Sequence, residues 1–317
     1  MGIYLSNEEI FITKRILRRE RQNNHMNNGV HIAIIGAGLG GIPAAALLQA
    51  RGQNVAVYEQ APMFARLGAG INLGPNLMKI MREIGIENRL RHIGIEPDTW
   101  ANREWNTGRM QFEFMMKGPL ARDYGAPYLQ IHRGDFHEIL TETVAPGTIQ
   151  FNKSLVGIDV KESVITLSFE DGTREEAEIV IGADGINSMV RELILGPEEP
   201  IYTGFVAHRS IFPRSLINGP VLHDFTKWWS DDTHEADDDR HMVVYYLDRT
   251  REEIYFVSGV PDPNWPGDTS FVDADLDEMI SVFDGFHDDL MQILYACPAA
   301  TKWPLFDRKP LPLWSEG

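Results

Sequence analysis

Cysteine is almost absent: Cys297 is the single one in 317 residues, so no intramolecular disulfide can form and no cysteine-rich zinc site can be built. This fits a reducing compartment, and stability has to come from burial. Basic residues are outnumbered, 29 Lys and Arg against 46 Asp and Glu, for a formal charge of −17. That is the wrong sign for a protein that wraps nucleic acid or rests on an anionic membrane, so neither is expected as a partner. No uninterrupted apolar run approaches the roughly 18 residues of a membrane-spanning helix, and residues 1–28 lack the apolar centre of a secretory signal. A cytoplasmic location is the expectation. An anionic small substrate stays compatible with the net charge, because a few local Arg or His residues set the potential inside a pocket.

What is present is enough apolar material for about two globular domains, with 43 % hydrophobic and 24 % charged residues. Residues 1–28 mix Lys14, Arg15, Arg18, Arg19 and Arg21 with acids and Asn. They read as a disordered extension. Met26 offers a second translation start, and Glu8, Glu9 and Glu20 count against a targeting peptide. From Val30 to Glu59 an apolar strand, a glycine turn, an alanine-rich helix and a second apolar strand make one βαβ unit. Bare apolar strands of this kind suit a parallel sheet covered on both faces. Residues 75–92 read as helical, 128–150 as strand, helix and strand, and 154–181 as three successive strands with a turn at Asp171-Gly172. After Arg191 the pattern changes to alternating strands rich in Tyr, Trp and Val, at 201–212, 221–229, 241–248 and 253–260, then two helices and a strand near 300–306. The acidic run 231–239 reads as a solvated hairpin loop. The chain thus divides into an extension (1–28), a nucleotide-binding domain (29–98 and 127–200), a substrate domain (99–126 and 201–300) and a returning segment (301–317).

Gly36, Gly38 and Gly41 form GxGxxG between strand and helix, and Glu59 closes the next strand. Gly36 permits the tight turn, Gly38 lets a pyrophosphate approach the backbone, and Gly41 lets helix and strand pack closely. The amides at the helix start then face phosphates, and Glu59 can accept hydrogen bonds from an unphosphorylated adenosine ribose. The turn alone does not separate NAD from FAD.

Three further segments do. YEQAPMFARLGAGINLGPN (58–76), IHRGDFHEIL (131–140) and EIVIGADGINSMVREL (178–193) together resemble the single-component FAD-dependent aromatic hydroxylases, the group A flavoprotein monooxygenases. The resemblance runs from about residue 30 onward and extends through KWW (227–229), RHMVVYY (240–246) and TKWPLFDRKPLPLW (301–314). It implies an α/β fold, a Rossmann-like FAD-binding domain with a parallel sheet, interrupted by a mixed β-sheet substrate domain. It also implies that Glu59 holds the adenosine ribose, that Arg66 and Arg133 contact the ribityl and phosphate side of the flavin, and that Asp184-Gly185 is the DG motif shared with the passing nicotinamide cofactor. Competing readings are surface arginines for Arg66 and Arg133 and a plain turn for Asp184-Gly185. Arg191 either anchors Asp184 or caps a helix.

The implied activity is hydroxylation of an aromatic or N-heteroaromatic carboxylate, of the hydroxynicotinate or salicylate type, with NAD(P)H and O2. The cofactor carries the hard chemistry, so the protein must hold the ring, exclude water and draw off a phenol-type proton. No metal is implied. His241 and Tyr245 lie four apart on an expected strand, share a face with Val243, and have α-carbons roughly 13 Å apart. The histidine suits a proton acceptor and the tyrosine an orienting donor, the catalytic pair expected here. His208, Trp228 and Trp229 read as structural. Within the resemblance, Asn72 stands where a histidine is expected, and Phe225 and Thr226 where a cysteine is expected. The family pattern also continues past PLPLWSEG into a second flavin motif, so the expectation includes a truncated member, and the rival reading is a catalytically inactive fragment with weak FAD binding.

Overall fold

The structure, a computed structural model, describes residues 32–65, 68–161, 164–219, 222–230, 240–265 and 270–316. The extension 1–28, Arg66 and the acidic run 231–239 lie outside the described residues. The chain opens on β1 (Ile32–Ile35), α1 (Gly41–Ala50) and β2 (Val55–Tyr58). Then come β3 (Gly70–Leu73), α2 (Pro75–Ile84), α3 (Glu87–Ile93), β4 (Thr99–Glu104), β5 (Met110–Met115) and α4 (Pro119–Tyr124). Next are β6 (Leu129–His132), α5 (Arg133–Thr141), β7 (Ile149–Gln150), β8 (Leu155–Lys161), β9 (Val164–Phe169), β10 (Arg174–Ala177), β11 (Ile179–Gly182) and α6 (Met189–Leu195). The remainder is β12 (Ile201–Pro213), β13 (Phe225–Trp229), β14 (His241–Tyr246), β15 (Glu253–Pro261) and β16 (Val272–Asp273). It closes with α7 (Leu276–Val282), α8 (Asp288–Tyr295) and β17 (Thr301–Asp307). Two compact units result, one of residues 32–65, 137–200 and 308–316, the other of residues 68–136 and 201–307.

In the first unit the strands order β11-β1-β2-β7, all parallel. Every residue of β1, β2 and β11 is buried, as apolar strands without polar alternation require. An antiparallel sheet β10-β9-β8 covers one side, where Leu155, Leu167 and Phe169 meet Ala33, Ile35, Ala56 and Tyr58. Residues 154–181 therefore hold four strands rather than the three expected. The last, the unbroken apolar run IVIG, leaves the antiparallel sheet and pairs with β1.

The second unit is built on an eight-stranded sheet, ordered β16-β17-β12-β15-β14-β13-β4-β5 and antiparallel except between β13 and β4. Alternation along each strand sorts side chains to two faces. Met242, Val244 and Tyr246 point with Trp228 and Phe256 into a core completed by Met279 and Phe283 and by Leu290 and Ile293 of α8. Val243 and Tyr245 point the other way, with Phe225 and Tyr255. The antiparallel pair β3-β6 belongs to this unit; Gly70 of β3 and Tyr128, just before β6, approach that second face.

Among the described residues, no helix is long and apolar enough to cross a membrane.

Candidate functional site

The glycine turn after β1 is held tightly. Gly36 has φ +100°, and a methyl group there would sit 2.3 Å from the Ala183 carbonyl oxygen. The turn and the segment entering Asp184 are thus in direct backbone contact, and only glycine satisfies both the angle and the space. A methyl at Gly41 would lie 2.0 Å from Gly36 O, so α1 starts hard against the turn. Gly38 is half-buried, and its carbonyl accepts from Ile42 N at 3.2 Å. The first turn of α1 carries no acidic residue and no side-chain cap. Its orphan amides are therefore suited to a phosphate.

Glu59 is tied into this turn. Its Oε2 accepts from Ala37 N and its Oε1 from Ala61 N, each at 2.9 Å. Each carboxylate oxygen keeps a second acceptor position, enough for two ribose hydroxyls. On the other side of the same residue, His137 Nε2–H donates to Ala37 O at 2.8 Å. The His137 ring packs edge-on against Phe64 with centroids 4.4 Å apart, and Phe64 packs in turn on Phe151.

Asp184 has structural partners of its own. Its Oδ1 accepts from Ser188 Oγ at 2.5 Å and its Oδ2 from Val190 N at 3.1 Å, while Ser188 Oγ accepts from Arg191 N at 3.0 Å. Aspartate and serine together cap the start of α6. Gly185 follows with φ +78°. The Arg191 guanidinium pairs with Glu198, so of the two roles expected for this residue the structure shows its backbone in the cap and its side chain on another acid. Gly36, Gly38, Gly41, Glu59, Asp184 and Gly185 all lie in the first unit. The cleared turn, the acid-free helix start and the anchored Glu59 carboxylate fit the adenine dinucleotide part of FAD.

The second unit carries His241 and Tyr245 on one face of β14. Strand register sets three rows across β13, β14 and β15: Phe225, Tyr245 and Tyr255; Lys227, Val243 and Val257; Trp229, His241 and Gly259. Tyr245 is buried edge-on between Phe225 and Tyr255, with centroids 5.6 and 5.2 Å away. A methyl at Gly70 would stand 2.6 Å from its hydroxyl. Burial pushes the Tyr245 hydroxyl far above the ordinary phenol range, so it remains a proton donor. His241 stacks on Trp229 at 5.3 Å, and burial, with the Lys227 charge beside it, pushes the imidazole down to about 4. It is neutral at pH 7 and able to accept a proton.

Arg133 opens α5, its backbone N–H donating to Ala69 O at 2.8 Å. Its side chain lines a pocket of about 490 Å³ together with Arg209, Thr301 and Trp303. Arg66 lies outside the described residues.

Three features escaped the sequence reading. His137 stands in the HRGDFH segment, four residues after Arg133, and that spacing was its one available signal. Lys227, within KWW, faces the same way as His241. Asn72 and Gln130 are cross-strand neighbours on β3 and β6, and Asn72 Oδ1 and both polar atoms of the Gln130 amide are buried without a hydrogen-bond partner. Among the described residues no group of His, Cys, Asp and Glu could hold a metal ion.

Comparison with known proteins agrees with the first unit and extends beyond it. Residues 29–276 match the FAD binding domain family. The chain is 50 % identical over 293 residues to a 6-hydroxynicotinate 3-monooxygenase of Bordetella bronchiseptica, covering 92 % of this chain and 75 % of that one. It is 44 % identical over 294 residues to the Pseudomonas fluorescens protein of the same name, covering 92 % and 74 %. Among solved structures, 2,6-dihydroxypyridine-3-hydroxylase from Arthrobacter nicotinovorans superposes with a TM-score of 0.73 at 23 % identity, over 89 % of this chain and 74 % of that one, a likeness of fold.

Proposed function

The chain belongs to the FAD binding domain family, and from that premise we propose that it hydroxylates 6-hydroxynicotinate or a close N-heteroaromatic or aromatic carboxylate, with NAD(P)H and O2 as co-substrates. It is an FAD-dependent oxidoreductase of the aromatic-hydroxylating monooxygenases. The observation that carries the substrate class is the 50 % identity over 92 % of the chain to a 6-hydroxynicotinate 3-monooxygenase.

The Gly36, Gly38 and Gly41 turn and the α1 amides would take the pyrophosphate and Glu59 the adenosine ribose. Arg66 and Arg133 would take the ribityl and phosphate side, and Asp184-Gly185 would face both flavin and passing nicotinamide. Bound FAD supplies reduction by NAD(P)H and delivery of one atom of O2 to the ring, the other leaving as water. What remains falls to the second unit. Tyr245, kept protonated by burial, donates to an oxygen of the ring. His241, kept neutral, accepts the proton of the ring hydroxyl at an imidazole nitrogen, which raises electron density at the carbon to be attacked. The aromatic walls around Tyr245 exclude water. In nicotinate the 3-carbon bears the carboxylate, so oxygen arriving there displaces it as CO2. One NAD(P)H, one O2, one substrate anion and two protons then give one dihydroxypyridine, CO2, water and NAD(P)⁺.

The test is the purified chain with FAD, NADH and 6-hydroxynicotinate, following flavin absorbance, oxygen uptake and CO2. Oxygen consumption stimulated by substrate, with equal yields of CO2 and dihydroxypyridine, is expected. A flavin-loaded chain whose NADH oxidation ignores 6-hydroxynicotinate would overturn the substrate assignment.

A further inference from the structure

Lys227 is a buried cation set over an aromatic ring. It is 6 % exposed, and among the described residues no carboxylate comes within ion-pair distance of it. Its Nζ lies 3.4 Å from the centroid of the Trp229 ring. Arg209 likewise rests on a ring, that of Trp303 at 4.9 Å, whereas three other cations meet acids. Arg191 meets Glu198, Lys153 meets Asp171 at 2.7 Å, and Lys302 meets both Asp262 at 2.7 Å and Glu278 at 3.0 Å. A ring face compensates a buried ammonium only in part, because desolvating the charge costs more than a cation–π contact returns.

The surroundings point to what is missing. Lys227 faces the same side of the sheet as His241 and Tyr245, in the row between theirs and two residues along the strand from each. Its cross-strand neighbours there are Val243 on β14 and Asn102 on β4, neither an anion. His241 lies across Gly259, where a methyl would come 2.3 Å from its Cε1, so the imidazole stays flat and close to Trp229. With His241 neutral, the ammonium is the positive charge beside it, while Arg209, on β12 in the same cross-strand row as Lys227, lies toward Tyr245 and Tyr255. Trp229 is 38 % exposed, which opens this end of the face to solvent. In a chain of charge −17, an anion arriving at such a face needs a local cation to hold it.

We propose that Lys227, poised over Trp229 on the face shared with His241 and Tyr245, is the residue that binds the substrate carboxylate and makes the protein prefer aromatic acids to their uncharged analogues. This rests on the substrate class proposed above. Pairing with Lys227 holds the carboxylate while His241 and Tyr245, in the rows to either side, address the rest of the ring, and a carboxylate lost as CO2 ends that pairing at the product stage.

The test is calorimetric titration of the full chain, with FAD added, with 6-hydroxynicotinate and with 6-hydroxynicotinamide, the same ring bearing an uncharged amide. The acid is expected to bind at least tenfold more tightly. Lys227→Met is expected to weaken the acid by 10- to 100-fold, raising KM far more than it lowers kcat, and to leave the amide within threefold. Lys227→Arg, which keeps the charge, is expected to restore most of the acid's affinity. Equal wild-type affinity for acid and amide, a comparison that needs no variant, would overturn the assignment. So would acid and amide falling together in Lys227→Met, or loss of the acid in Arg209→Met but not in Lys227→Met. If salicylate binds in place of 6-hydroxynicotinate, the substrate named above fails while Lys227 is judged by salicylate against salicylamide. If no aromatic acid binds, both fail.

Discussion

Glu59 and His137, 78 positions apart in the chain, grip the same residue from opposite sides: Ala37 donates its N–H to the carboxylate at 2.9 Å and receives the imidazole N–H on its carbonyl at 2.8 Å. The glycine turn is thereby fixed before any ligand arrives. Glu59→Ala removes one clamp together with the proposed ribose acceptor, and is expected to weaken FAD binding by roughly 10- to 100-fold, consistent with loss of charge-assisted hydrogen bonds. His137→Ala removes only the second clamp and is expected to cost less, roughly three- to tenfold. Quenching of flavin fluorescence on titration reads both. Unchanged affinity in Glu59→Ala would remove this acid from the nucleotide site.

His241→Gln is expected to lower kcat by about 100-fold, the lower range for a lost general base, while FAD affinity holds. Tyr245→Phe keeps the ring packed between Phe225 and Tyr255 and is expected to lower kcat by roughly tenfold. Steady-state oxygen uptake at saturating substrate distinguishes them from binding defects. Full activity in both would move the chemistry off β14.

Acid should destabilise this protein through two buried histidines. Burial pushes His208 and His241 each down to about 4 from an ordinary 6.5. Between those values the unfolded chain binds protons that the folded chain refuses, so stability rises with pH through this window and falls as pH drops from about 6.5 toward 4. Each histidine contributes a slope of at most about 1.4 kcal/mol per pH unit. Urea unfolding at pH 7 and pH 5 is expected to show a smaller pH-dependent loss in His208→Asn than in the wild type. An equal loss in both would mean that His208 is protonated in the folded state.

Gln130 is fully buried with both amide atoms unpartnered. Gln130→Met keeps the length and removes the polar atoms, and is expected to raise stability of the ligand-free protein by about 1–2 kcal/mol. A loss of that size instead would reveal a partner, an ordered water being the simplest. The midpoint of chemical unfolding decides.

Much of this molecule can be read before folding it. The βαβ unit shows because IAII and VAVY lack polar alternation and the glycines fall at the turn, and the shared face of His241, Val243 and Tyr245 follows from the two-residue period of a strand. The missed contacts are long-range ones. Nothing local in HRGDFH says that His137 reaches Ala37, because that bond depends on α5 passing the glycine turn. Within KWW nothing local marks Lys227, because its surroundings come from register, which sets Val243 beside it and Trp229 beneath its ammonium. The fourth strand at 179–182 was lost because a strand that changes sheets looks, in one dimension, like a continuation of the hairpins before it.

The pairing of β1 with β11, Ile32 beside Ile179, also has a bearing on how the chain is born. A ribosome releases β1, α1 and β2 early, yet the neighbour that covers β1 emerges only after all of residues 68–136 and the β8-β9-β10 hairpins. Until then an apolar strand waits with an open edge, the situation in which nascent chains stick to one another. Parallel pairing over so long a loop is slow to find, and a holding chaperone or slower growth at low temperature is expected to raise the yield of folded protein without altering the finished fold.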